Sequence, residues 1–313
     1  MPKETTILFD LSKQEMLNIF DNDFSDFLEL LKSLGLKVRQ NDNKNLTTNE
    51  LENTDILVIG NPIDDYFSNI EIRNIVNFVR GGGSLLLISE YGGDYLQKTN
   101  LNDISGVNFG IYFHKNIVKE NNSINQNCSS ILSIQNFNKH KITNQLRELI
   151  VGGSCSLLLN KTSKSLIYSN VSWSEIYNGS QEQWSKEHEE KEQIISACIE
   201  YGRGKVVAIG DIDIFSNDRN IGLICLDNRK FVLNLISWLL EPIKKSDVML
   251  WALNQLGALQ TDVKEINKKI DNIIETMTIL EHRISAIEEI ENLENKKSFR
   301  ESHKEKTIEK ELY

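Results

Sequence analysis

Residues 81–94 read GGGSLLLISEYGGD. Three glycines lead into a continuous apolar run, and the run ends in a polar turn with two further glycines. A short apolar run without alternation is the habit of a strand buried on both faces, as in parallel sheets covered by helices. In an open α/β sheet, the residues just past such a strand point into the ligand crevice. Ser89, Glu90, Tyr91, Gly92 and Gly93 are therefore candidate ligand-binding residues.

The flanking segments repeat the pattern. TTILFD (5–10) is a short apolar strand, and DFSDFLELLKSLG follows with Phe24, Phe27, Leu28, Leu31 and Leu34 at helical spacing. Gly35 supplies the stop. LKVRQ is the next strand, and DILVIGNP (55–62) is a second buried run closed by a turn, which places Asn61 just beyond a strand end. Ser68 caps SNIEIRNIVNFVRGGG, and Glu71, three residues on, completes a capping box. This β-α-β-α-β series predicts a parallel sheet with helices on both faces.

The middle, 107–190, is less regular. NFGIYFHKNIVKE, SCSLLLN and SLIYSNVSW read as strands, and NGSQEQWSKEHEEKEQ (178–193) reads as a polar surface insertion. Order returns at GRGKVVAIGDIDIF, where Asp211 and Asp213 follow a strand over 205–209. Asn61, Glu90, Tyr91, Gly92, Asp211 and Asp213 are thus expected on one sheet edge. Asp227 starts a helix that Pro242 ends, and the α/β domain is assigned to 1–242.

Beyond it the period changes. Leu256, Val263, Ile270, Met277 and Ile284 recur every seven residues, and Leu259, Ile266, Ile273, Leu280 and Ile287 do so three places later. This predicts a coiled-coil helix over 246–293, spanning roughly 47 Å from Leu256 to Ile287. The competing reading packs one long helix back on its own domain. Arg283 and Glu288 form a g–e′ pair for a parallel partner, while Ile274 and Ile290 widen the apolar face toward a larger bundle. The stripe predicts self-association, or pairing with another coiled-coil protein, through 256–287. From 294 on, the Lys, Glu and Ser content predicts a disordered tail.

Composition narrows the function. Hydrophobic residues make up 40% of the 313 and charged residues 26%, the balance of a globular chain. A net charge of -10 disfavours nonspecific contact with nucleic acid or anionic lipid. No apolar run reaches the roughly 18 residues of a membrane span, and the N-terminus shows no secretory pattern, so a cytoplasmic location is expected. Cys128, Cys155, Cys198 and Cys225 lack C-x-x-C spacing, which argues against a cysteine zinc site.

Catalytic signals are absent. A nucleophile elbow needs G-x-S-x-G, and here the glycines come only after Tyr91. Ser89 with His114 or His140 as base would make a hydrolase, as would chemistry in the Asp211/Asp213 loop, but no spacing favours either. GGG at 81–83 precedes a strand and is no phosphate loop. His188 sits in a solvated charge run, and two aspartates in one loop are ordinary turn and cap residues. No catalytic residue, metal-ligand cluster or cofactor is assigned.

TTILFDLSKQEM, DILVIGNP, FVRGGGSLLLISEYGGD, GRGKVVAIGDIDIFSND and DNRKFVLNLISWL, in this order over about residues 5–240, resemble the GIFT domain. That domain is shared by the fifty-two-kilodalton subunit of intraflagellar transport complex B and the gliding-motility ABC-transporter auxiliary proteins. The S-K-x-E turn (12–15) and the E-x-G-G-D turn (90–94) point to the transport subunit. A remoter similarity reaches the forty-eight-kilodalton oligosaccharyltransferase subunit and class I glutamine amidotransferases. The resemblance implies a flavodoxin-like α/β fold whose amidotransferase cysteine is lost, and a non-catalytic scaffold that binds a protein or a polar ligand, a sugar among them. The C-terminal heptads depart from the transport subunit, so a role in cilia does not carry over.

Overall fold

The computed structural model describes residues 4–120, 129–187 and 190–311. Cys128, His188 and the side chains of Ile287, Glu288 and Ile290 lie outside that description. The chain divides into two units, Met1–Val248 and Met249–Tyr313.

The first unit opens with β1 (Thr6–Asp10), α1 (Ser25–Ser33), β2 (Lys37–Asn41), the single turn α2 (Thr48–Leu51), β3 (Ile56–Gly60), α3 (Asn69–Gly81) and β4 (Ser84–Ile88). Two short helices follow, α4 (Gly93–Gln97) and α5 (Leu101–Phe109). Eight strands then cross the irregular middle: β5 (Ile111–Phe113), β6 (Asn116–Lys119), β7 (Ile131–Ile134), β8 (Asn136–Phe137), β9 (Leu149–Gly152), β10 (Leu157–Leu159), β11 (Lys164–Asn178) and β12 (Gln183–Lys186). The unit ends with β13 (Lys191–Tyr201), β14 (Gly204–Ile209) and α6 (Asn228–Leu240).

The main sheet runs β12-β11-β13-β14-β4-β3-β1-β2. From β2 to β14 every pairing is parallel, giving the order 2-1-3-4-14 of a flavodoxin-like sheet. Burial on both faces explains the apolar runs. Phe9, Val58, Leu86 and Val207 pack with Phe27 of α1 and Phe231 of α6 in one core. Leu8, Leu57, Leu85 and Val206 pack on the opposite face with Ile75 and Val79 of α3 and Ile104 of α5. The capping box forms at α3, with Ser68 Oγ accepting from the Glu71 N–H and Glu71 accepting from the Ser68 N–H at 2.8 Å.

Past β14 the pairing turns antiparallel, an extension the alternating β-α series does not announce. The expected polar insertion at 178–193 is also structured. It holds β12 and the first residues of β13, paired on the 15-residue β11. β11 was expected as the strand SLIYSNVSW, but its full length was not, because its buried positions include Ser169 and Ser172, which bond each other and the backbone, and Ser174, which donates to Glu187.

The S-K-x-E turn after β1 is a buried polar knot. Asp10 accepts from Asn41 Nδ2 (2.7 Å) and Ser12 Oγ (2.9 Å), and Glu15 accepts from the Lys13 N–H (2.9 Å). Burial, then repulsion from Asp10, pushes the Glu15 carboxyl up to about 9. Lys13 crosses to α3, where its Nζ lies 2.9 Å from Glu71 Oε1 with both side chains at most 5% exposed.

The second unit is the helix α7 (Lys245–Glu311), whose first residues belong to the α/β unit. It continues unbroken past 294, where a disordered tail was expected. No Gly or Pro interrupts that stretch, and its Lys, Glu and Arg have high helix propensity. Among the described residues no helix is long and apolar enough to cross a membrane.

Candidate functional site

The parallel strands β3, β4 and β14 end in register, Gly60 beside Ile88 and Ile88 beside Ile209. The residues that follow are therefore neighbours. The Asn61 N–H donates to Ile88 O at 2.9 Å, and the Ser89 N–H donates to Ile209 O at 3.1 Å. Glu90 and Asp211 each come two residues after these strand ends, Ile88 and Ile209, and both are buried.

Glu90, Asp211 and Asp213 converge, each offering an oxygen within 4.8 Å of the others. Glu90 Oε1 accepts from the Ile212 N–H at 2.7 Å. Asp211 Oδ1 accepts from the Asp213 N–H at 2.9 Å, and its Oδ2 from the Gly152 N–H at 3.3 Å. Gly153 closes the group from β9. Its φ is +66°, and a Cβ there would sit 3.2 Å from Glu90 Oε2 and 3.3 Å from the Tyr91 ring. Only glycine meets both demands without strain. The GG at 152–153 gave no signal in the sequence, because its partners are more than fifty residues away in both directions.

Burial dominates the electrostatics. It drives the Glu90 and Asp211 carboxyls well above their ordinary range, Asp211 adding repulsion at Glu90 and Asp213 at Asp211. Asp213 is pushed up to about 6 by burial, then by Asp218. Such oxygens are ligands for a hard cation or a protonated amine, or they share protons with one another. Asp213 opens onto a cavity of about 480 Å³ that Asp23, Asp218 and Met16 also line, so three carboxylates face it, while Glu90 and Asp211 are buried.

The cluster fixes a sign for stability. An aspartate raised from 3.8 to about 6 contributes fully below pH 4, and that contribution is lost as pH rises toward 6. Glu90 and Asp211 shift the same way and extend the decline to higher pH. Melting temperatures in chelator should therefore fall from pH 5 to pH 8. Asp213→Asn should flatten the curve between pH 4 and 6, and a profile that rises with pH would contradict the assignment.

The other candidates divide. Asn61 and Ser89 lie on the same edge at 0% and 1% exposure, and neither Asn61 Oδ1 nor Ser89 Oγ has a hydrogen-bond partner among the described residues. Ser89 therefore has no hydrogen-bonded base. His114 Nδ1 is likewise without a partner among the described residues, and His140 meets Trp238 edge-on with its Nε2 3.9 Å from Cys198 Sγ. Burial pushes that thiol up to about 12, which makes it a core group. Tyr91 is exposed and leans on Trp184, with ring centroids 6.2 Å apart. Gly92 and Gly93, at φ +81° and +47°, shape the turn so that its backbone meets the β5–β6 connection. There the Gly92 N–H donates to Asn116 O at 2.9 Å.

Residues 6–124 match the family model of the IFT52 GIFT domain. Among solved structures, the mmIFT52 N-terminal domain superposes with a TM-score of 0.60 at 17% identity, covering 75% of this chain and 97% of that one. A cytoplasmic protein from Salmonella typhimurium gives a TM-score of 0.49 at 11% identity, covering 77% of this chain and 100% of its own. A ThuA-like protein from Bacteroides uniformis gives 0.45 at 11%, covering 76% and 91%. The last two are too distant to bear on function. No curated protein matches the sequence. The α/β unit is thus GIFT-like: residues 6–124 carry the sequence pattern of the IFT52 GIFT domain, on a fold shared with the mmIFT52 N-terminal domain.

Proposed function

We propose that the protein is a non-catalytic scaffold in the manner of the intraflagellar transport subunit. Its α/β unit holds a protein or polar ligand at the acidic crevice, and α7 joins copies together through 256–287. The observation that carries this reading is the stripe on α7. Leu256, Leu259, Val263, Ile266, Ile270, Ile273, Met277, Leu280 and Ile284 are each 47–59% exposed in the single chain. A lone helix presenting that surface is an aggregation hazard, and a partner helix removes it. Joining copies multiplies the crevice, so a weak single-site contact becomes an avid one. Absence of a base at Ser89 and the GIFT-like match both favour binding over turnover. The test is a screen of ester, amide and glycoside substrates with the full chain. No turnover above the buffer rate is expected, and turnover abolished by Ser89→Ala would overturn the reading.

A further inference from the structure

On α7 the heptad core positions a and d begin at Met249 and Ala252 and reach Met277 and Leu280. The residues beside them carry a pattern of their own. Asp262 and Lys269 stand at g, and Leu253 and Ile274 stand at e. Leu253 and Ile274 are 59% and 57% exposed in the single chain, two large apolar groups flanking the stripe. Lys269 reaches Glu265 of its own helix at 2.8 Å, an exposed i, i+4 pair of little strength.

The e and g side chains set the direction and register in which two such helices meet. Reversing one helix puts a opposite d, and brings g beside g and e beside e. With Met249 level with Leu280 of a second copy, Asp262 meets Lys269, Leu253 meets Ile274, and Gln260 meets Asn267. Two-fold symmetry makes each of these contacts twice. A slide of one heptad either way sets Asp262 against its own copy or Lys269 against its own copy. The same slide moves Leu253 to Asn267 or to Glu281. Like charges and stranded apolar groups therefore select one register.

The core agrees with that register. It faces the small Ala252 with the long, adaptable Met277, and Val263 with Ile266. A parallel pair would set Ala252 against Ala252 and Lys269 beside Ile274, and would gain one opposite-charge contact, Arg283 with Glu288.

We propose that α7 pairs with α7 of a second copy antiparallel, in the register that puts Asp262 beside Lys269. This rests on the reading that α7 joins copies, and adds direction and register to it. The two Met249 positions then lie roughly 47 Å apart along the pair, so the two chains enter it at opposite ends.

Charge exchange on the full chain tests both direction and register. Asp262→Lys and Lys269→Asp alone each bring like charges together twice, and each should weaken self-association about tenfold in sedimentation equilibrium. Mixing the two single variants, or placing both changes in one chain, restores the opposite-charge contacts and should recover most of the affinity. Circular dichroism checks that helix content is retained. Oxidative cross-linking gives a readout independent of charge. Leu256→Cys chains mixed with Ile273→Cys chains should join, because the two positions face each other. Leu256→Cys chains alone should join no more than the unmodified chain with its native cysteines. Assembly unaffected by either single charge variant, weakening without recovery in the mixture, or Leu256→Cys chains that join one another would each overturn the antiparallel pairing and leave assembly through α7 standing. An unmodified chain that stays monomeric would overturn both.

Discussion

Full-length protein carrying Ile270→Lys and Ile273→Lys is expected to be a soluble monomer of about 35.9 kDa with an unchanged α/β unit. Both residues lie at the centre of the α7 stripe, one at each core position of the same heptad. Burying such side chains contributes roughly 1.5–3 kcal/mol each before entropy costs, so nine or ten per chain can drive assembly at micromolar concentration. Two lysines at the centre replace that gain with a desolvation penalty on every chain. Circular dichroism separates loss of assembly from loss of fold, because the α/β strands do not include α7. A variant that stays assembled would place the interface elsewhere. Isoleucine at both core positions leaves the number of strands open.

The second large effect belongs to the turn after β1. Lys13→Met should destabilise the α/β unit by about 3–5 kcal/mol, because it strands the Glu71 carboxylate in the core. Glu71 is held by more than Lys13. Its Oε1 also accepts from the Leu46 N–H at 3.0 Å, and its Oε2 from the Ser68 N–H and Oγ. Burial alone would raise its pKa, but Lys13 and those amides outweigh it, and the carboxyl sits below its ordinary range. Chemical denaturation should show the loss, and the melting temperature should drop by roughly 6–20 °C. Adding Glu71→Gln should recover part of it, since glutamine keeps the capping box and removes the unpaired charge. No recovery would mean that the ion pair is not the source.

These two sites were legible in the sequence to different depths. The stripe was read directly, since a seven-residue period needs no tertiary information. The parallel strands were equally plain, because burial on both faces leaves an uninterrupted apolar run at β3, β4 and β14. Lys13 was visible as part of the S-K-x-E turn, but its partner Glu71 was seen only as a helix cap. The same residue does both, and only the packing of α3 against the turn reveals it.

The acidic crevice was half legible. Chain position placed Glu90 and Asp211 past neighbouring strand ends, yet nothing local shows that both are buried and that Gly153 presses on Glu90. In the arm formed by β11, β12 and β13, the strand SLIYSNVSW was legible, but β12 and the start of β13 lie in a stretch that reads as polar surface. Its interior relies on paired serines and on Asn116 and Glu187, polar residues that composition assigns to the surface.

Assembly of the chain through α7 is the expectation on which the proposed function rests. Light scattering coupled to size exclusion on the unmodified full-length protein at micromolar concentration tests it most directly. Assembly through α7 predicts a mass of at least two chains, a multiple of 35.9 kDa of two or more. A mass of 35.9 kDa, unchanged as the concentration is raised, would contradict it and mean that the stripe is buried against its own domain or not buried at all.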